Sequence, residues 1–522
     1  MPELHQSIAQ HYHERTKYDP ETISAKNKGL DWAKQPVPFK EYKIGSTFDL
    51  KPYIKEKPTS FPNNSEAQWW QRLSRLLFCS YGLTARMPSM GSTVYLRAAP
   101  SAGGLYPAEM YLLSRGTPLL PPGLYNYQCR THSLMHYWES DVWQKLQSAC
   151  LDNSSLENTQ LAIVITSVFY RSAWRYEDRA YRRICLDTGH LIGNIELAGA
   201  LTNYRPHLIG GFVDEDVNEL LYIDPKQEQA IAVIPLTDLQ DNQDNNSIES
   251  PLTKQQNILG GNTALPSTTE TDYPKIPDGE LLTYFHCATQ IQSSAKEKLN
   301  IPQVKQDKSI EDKYNFSFCD KISTATKPIY WGKKLEELEN SILKRRSTRA
   351  FSGEALQFDQ LKALLDFTYQ PQNYNRQNNQ SSPDYFDLNL IETFIAVSGV
   401  EGLERGCYYY APASQELRQI RFKNFRRELH FLCLGQDLGR DASALVFHTA
   451  DLKNAVARYG DRVYRYLHMD AGHLGQRLNL AAIHLGLGVS GIGGFFDDKV
   501  NEVLGIPSDE AVLYITTLGK PR

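Results

Sequence analysis

Four short segments combine side chains and backbone that could do chemistry. The first is Lys344-Arg345-Arg346-Ser347-Thr348-Arg349-Ala350-Phe351. Arg345, Arg346 and Arg349 with the hydroxyls of Ser347 and Thr348 make an anion site, because guanidinium groups hold phosphate oxygens through paired, charge-assisted hydrogen bonds. The same cations could instead offset the dipole at a helix end. The second segment runs from Arg97 through Pro100, Ser101, Ala102, Gly103 and Gly104 to Pro107. Its small residues let backbone approach a flat ligand closely, or form an ordinary loop between helix and strand. The third holds Gly486, Gly488, Gly491, Gly493 and Gly494 ahead of Asp497 and Asp498. It suits a turn over a ligand before a helix carrying Val500, Val503 and Leu504, with the aspartates as its cap. Its spacing is not that of a dinucleotide fingerprint. The fourth is Arg175-Tyr176, with a second pair at Arg458-Tyr459. Arginine is no base near neutral pH, which leaves the tyrosine as a proton donor or as part of a structural helix start.

The elements that must position these residues occur twice. Arg175-Tyr176-Glu177-Asp178-Arg179-Ala180-Tyr181-Arg182 matches Arg458-Tyr459-Gly460-Asp461-Arg462-Val463-Tyr464-Arg465, and the two stand 283 positions apart. The same shift joins Asp187-Thr188-Gly189-His190 to Asp470-Ala471-Gly472-His473, Ile209-Gly210-Gly211-Phe212 to Ile492-Gly493-Gly494-Phe495, and Asp214 to Asp497. A gapless match of this extent marks an internal repeat. Within each unit, apolar runs such as Leu161–Val168 and Ala444–Thr449 read as buried strands. Met469–Leu485 has helical spacing that ends at glycine. The fold class is α+β in two tandem units, with helices over a mostly antiparallel or mixed sheet.

Between the units, Asp238 to Thr271 is rich in Asn, Gln, Asp, Ser and Thr and reads as a flexible linker. Gly279–Gln292 has helical character. We expect a first domain at 1–240, a partly structured linker at 241–330 and a second domain at 331–522. A net charge of -4 and a pI near 6.4 give no reason to expect a nucleic-acid or membrane partner. The eight cysteines are scattered without a CxxC pair, which points to reduced thiols and a cytoplasmic protein rather than a zinc or disulfide framework. His190 and His473 read as packing residues, not metal ligands.

Together these segments resemble the nitroreductase superfamily, and within it the SagB-type dehydrogenases, relatives of the azoline oxidases. The resemblance implies a flavin (FMN) oxidoreductase whose two domains pair within one chain as the halves of a dimer do. In that family one subunit supplies the basic start, the glycine turn and the C-terminal cation, and the other supplies the Pro-Ser segment. By resemblance, Arg345, Arg346, Ser347, Arg349, Gly491, Gly493, Gly494, Lys520 and Arg522 face the cofactor from the second domain. Pro100, Ser101, Ala102 and Gly103 face it from the first. A Lys-Tyr pair is implicated in acid–base work in the azoline oxidases, and Arg175-Tyr176 stands at the matching position beside the Pro-Ser segment.

The 283-residue shift shows that the two sites are not equivalent. Pro100–Glu109 falls on Pro383–Glu392, where the serine and glycines are gone. Gly486–Gly491 falls on Asn203–Leu208, Lys520 falls near Asp238, and the counterpart of the basic start lies around Lys57–Phe61 with a single cation. One complete site per chain is expected, made of complementary halves. Its substrate is a small molecule or a modified peptide, with NAD(P)H or O2 as redox partner. NAD(P)H-driven reduction of nitro or quinone compounds is the alternative, and a flavin-free scaffold is the alternative from another class.

Overall fold

The computed structural model describes residues 6–23, 29–55, 65–89, 92–240, 263–292, 311–374 and 383–522. Each half of the chain builds one seven-stranded sheet. The first contains β1 (Ser46–Asp49), β2 (Ala108–Ser114), β3 (Gly123–Gln128), β4 (Ser133–Trp138), β5 (Leu161–Val168), β6 (Tyr204–Pro206) and β7 (Glu228–Asp238), in the order β1-β4-β3-β2-β5-β7-β6. The second contains β8 (Lys321–Ser323), β9 (Glu392–Val397), β10 (Gly406–Ala411), β11 (Glu416–Arg421), β12 (Ala444–Asp451), β13 (Gly488–Ile492) and β14 (Glu510–Gly519), in the order β8-β11-β10-β9-β12-β14-β13. The two orders are the same, and every pairing within both sheets is antiparallel. The central strands β5 and β12 are buried along nearly their whole length, as continuous apolar runs require. The glycine run after residue 486 is therefore not a single turn, because Gly488–Ile492 continues the second sheet as an edge strand on β14.

Four helices decide how the halves meet: α1 (Ile8–Arg15), α2 (Ala180–Thr202), α3 (Leu281–Ala288) and α4 (Val463–His484). Helices α2 and α4 are buried along almost their whole length and lie against each other. A Cβ on Gly189 would stand 2.1 Å from the Met469 carbonyl oxygen, and one on Gly472 would stand 2.3 Å from that of Leu186. Only glycine permits backbone contact this close.

Two buried ion-pair triads flank the crossing. Asp214 of the first domain receives Arg462 at 2.6 Å and Arg465 at 2.8 Å from the second. Asp497 of the second receives Arg179 at 2.8 Å and Arg182 at 2.7 Å from the first. Asp497 is thus no helix cap: it opens the helix Asp497–Leu504, and Phe496, the residue in the cap position, has no capping side chain. The carboxylate turns across the interface instead, because two buried guanidinium groups need an anion more than a helix start does. Most of the remaining guanidinium donors find carbonyls and hydroxyls, while Arg179 Nε is buried without a partner. Arg182 reaches the His13 carbonyl and Thr16 Oγ beside α1, and Arg465 reaches the His286 carbonyl and Thr289 Oγ beside α3. His13 and Thr16 stand 273 positions before His286 and Thr289. Helix α3 is therefore the second unit's counterpart of α1.

The end of the polar stretch is not a loose tether. Ser267 and Thr268 bond to the backbone of Tyr459 and Asp461, and Leu265 packs onto Gly211.

Asp214→Asn leaves Arg462 and Arg465 buried without a counter-charge. We expect a loss of about 3–5 kcal/mol in stability, read as a lowered guanidinium unfolding midpoint. A loss below about 1 kcal/mol would show that these charges are worth no more than surface pairs.

Candidate functional site

The helix Glu336–Lys344 delivers Arg345 into the interface. Its Nε donates to the Ala98 carbonyl at 2.7 Å and its Nη2 to the Arg97 carbonyl at 3.1 Å. The basic start of the second domain is thereby fastened to the backbone just ahead of Pro100 in the first. Nη1 of Arg345 is buried with no hydrogen-bond partner. Burial without a counter-ion pulls the Arg345 pKa down to about 10. Arg346 is half-buried and donates to the Thr84 carbonyl at 3.0 Å. Thr348 is tied to β13 by two bonds with Val489, Ser352 N–H donates to the Lys520 carbonyl, and Arg522 N–H donates to that of Ala350. These ties lay the C-terminus beside the basic segment. Ser347 is half-buried, while Arg349 and Arg522 are exposed. The Lys520 ammonium rests on Glu354 at 3.1 Å.

Asp187 on α2 organises the Pro-Ser segment. The Ser101 hydroxyl donates to Asp187 at 2.5 Å, Ala102 N–H donates to the same carboxyl, and Tyr106 N–H donates to Ser101 Oγ at 2.9 Å. Burial pushes the Asp187 pKa up to about 7 against the pull of these donors. Gly103 has φ +65°, and a Cβ there would stand 2.8 Å from the Tyr176 hydroxyl and 3.5 Å from Arg175 Cδ. The Arg175-Tyr176 pair therefore sits against the Pro-Ser segment. Burial raises the Tyr176 pKa, and the neighbouring arginines oppose that rise.

Arg183 joins these parts, and the sequence reading missed it. Its guanidinium lies 3.8 Å from the Tyr176 ring centroid and 6.0 Å from that of Tyr18. Cβ atoms on Gly493 and Gly494 would each meet it at 3.5 Å. Like Arg345, it has a buried Nη1 without a partner. The signal was present in the repeat: the shift carries Arg179 and Arg182 onto arginines, but Arg183 onto Tyr466. Gly491 has a different neighbour, since the Tyr514 hydroxyl lies 1.8 Å from where its Cβ would stand. Tyr514 pairs with His190 Nε2 at 2.8 Å, and His190 Nδ1 with Gln476 at 2.9 Å, so this histidine is a packed interface residue.

The pseudo-equivalent position is filled with protein. Phe386 replaces Gly103 and Tyr466 replaces Arg183, and their rings stack at 4.5 Å and 20°. Tyr466 OH contacts the carbonyls of Gly210 and Leu265 at 3.1 and 3.0 Å. Asp384 replaces Ser101 and pairs at 2.7 Å with Arg205, which replaces Gly488. The space among Ala264, Phe386, Tyr459 and Asp470 admits no water. Lys57–Phe61, the counterpart of the basic start, lies outside the described residues.

The Nitroreductase family matches this chain twice, over residues 73–236 and 342–520. A protein of Anabaena variabilis, assigned as a nitroreductase and solved by crystallography, is 74% identical, with a TM-score of 0.91 over 99% of this chain and 100% of its own. A Methanocaldococcus jannaschii protein assigned as a nitroreductase is 30% identical over 33% of this chain and 85% of its own length. A trifolitoxin-processing protein of Rhizobium leguminosarum is 27% identical over 25% of this chain and 42% of its own length. No helix among the described residues is long and apolar enough to cross a membrane.

The raised Asp187 pKa has a defined sign. The folded state holds the proton to about pH 7, whereas an unfolded aspartate releases it near its ordinary 3.8. Stability from this group is complete below that ordinary value and is lost as pH rises towards 7. Asp187→Asn removes this dependence. Wild type should lose up to about 4 kcal/mol relative to the variant between about pH 4 and 7, read by denaturant titration at each pH. Parallel profiles for the two proteins would contradict the raised pKa.

Proposed function

Because the chain belongs to the nitroreductase family, we propose that it is an FMN-dependent oxidoreductase with one flavin site, built from the Pro-Ser segment of the first domain and the basic start of the second. Bound FMN would supply hydride transfer to or from a small or peptide-borne substrate. Arg345, Arg346, Ser347, Lys520 and Arg522 would hold its phosphate and ribityl groups, and Arg349 its pyrimidine edge. Pro100, Ser101, Ala102 and Gly103 would pack on the ring, with Gly491, Gly493 and Gly494 offering backbone. Tyr176 would hold or deliver a proton on the substrate side, with Arg175 beside it. The likeness to a trifolitoxin-processing protein supports a peptide-borne substrate. NAD(P)H or O2 would complete the redox cycle, and all eight cysteines are free thiols, which suits a cytoplasmic setting.

The observation that carries this reading is the buried, partnerless Nη1 of Arg345, a donor fastened across the domain interface with no anion to meet it. Leaving such a group unpaired costs about 1–3 kcal/mol, more when it is charged, and a bound anion removes that cost. Arg345→Ala should weaken FMN binding about 10- to 100-fold, in line with the loss of about 1.5–3 kcal/mol for a hydrogen bond to a charged group. Ser101→Trp should abolish FMN binding by filling the opposite wall. Fluorescence quenching of added FMN reads both. Unchanged affinity in Arg345→Ala would remove the phosphate role from this segment.

A further inference from the structure

We infer that Arg183 is the receptor for a carboxylate on the substrate, so that the site takes molecules carrying a single negative charge beside the reacting group. The inference rests on the flavin reading for the identity of the site, but not for the chemistry of the receptor.

Arg183 is 5% exposed, and no salt bridge reaches it among the described residues. The neighbouring Arg179 and Arg182 on the same turn are both paired with Asp497. A buried guanidinium is strongly disfavoured without an anion. Two arginines of this run are paired with a carboxylate, and the third is not, its Nη1 buried without a hydrogen-bond partner.

The surroundings define what the donor would meet. Tyr176 and Tyr18 place aromatic rings at the guanidinium, so its plane is held by cation–π contacts rather than by a carboxylate. Tyr18 is fixed in turn, since its N–H donates to Asp497 at 2.9 Å. Gly493 and Gly494 lie against Arg183 with no side chains to cover it. Arg183 is therefore a buried cation in aromatic surroundings, with the exposed Arg175 also near the Tyr176 ring.

One buried cation balances one negative charge. A phosphate dianion would bring a second. A carboxylate matches both the charge and the two-pronged geometry of guanidinium. The second domain supplies an internal control. Tyr466 at the equivalent position keeps the aromatic wall, loses the cation, and spends its hydroxyl on the Gly210 carbonyl.

The test uses the full chain loaded with FMN, titrated with benzoate and with uncharged benzamide. Wild type should show saturable perturbation of the visible flavin spectrum by benzoate, with benzamide at least about tenfold weaker. Arg183→Met should lose benzoate affinity by about tenfold or more, and Arg183→Lys should restore it in part while confirming that the fold survives. Equal affinity for benzoate and benzamide, or wild-type benzoate affinity in Arg183→Met, would overturn the assignment. Loss of FMN itself from Arg183→Met would also overturn it, by placing Arg183 on the cofactor. If wild type takes up no FMN, the flavin reading fails, and calorimetric titration of benzoate into the unloaded protein still decides. Binding that Arg183→Met abolishes supports the receptor, and no binding in wild type overturns it.

Discussion

A carboxylate from each domain lies buried between two arginines of the other, beside two helices that touch backbone to backbone. Asp214 with Arg462 and Arg465, and Asp497 with Arg179 and Arg182, cannot be satisfied by either domain alone. Burying charges is costly, and the cost is recovered only in good geometry with the remaining donors also bonded. The contact at Gly189 and Gly472 supplies that geometry by fixing the distance between α2 and α4. The triads also reach the site. Arg179 donates to the Gly493 carbonyl at 3.4 Å, and Arg462 donates to the Gly210 carbonyl at 2.8 Å. The charge pairs that join the domains thus hold the glycine turns that face the two pseudo-equivalent clefts.

Fusing two copies into one chain frees each cleft to change independently, which a symmetric dimer of identical chains cannot do. Three substitutions close the second cleft: Gly103 becomes Phe386, Arg183 becomes Tyr466 and Ser101 becomes Asp384. A stacked aromatic pair occupies the space, and an Asp–Arg pair replaces the hydroxyl. Leu265, from the end of the polar stretch, packs onto Gly211. The closed position now adds buried apolar surface, whereas Arg183 and Arg345 keep buried donors without a partner. Unpaired buried donors of this kind are a feature of binding sites, where stability is given up for recognition.

Much of this was legible in the sequence, because the repeat at 283 positions is gapless through the strands and helices of the core. Arg345 bonds to the backbone just ahead of Pro100, and the Tyr176 hydroxyl lies against Gly103. The equivalence of α1 and α3 was hidden because the spacing changes to 273 between the N-terminal helices and the core, which breaks a gapless comparison. Asp497 looked like a cap because local pattern cannot reveal a charge partner more than 300 positions away. Arg183 was overlooked because it sits among arginines that serve structure. It stands out only where the two copies disagree.

The central claim is that one chain offers one intact flavin site and one closed one. The most direct measurement is the number of FMN molecules retained per chain after saturation and removal of free flavin. The account predicts one. Two would mean that the Phe386–Tyr466 stack opens to admit a second cofactor, and none would mean that the open guanidinium donors serve some other anion.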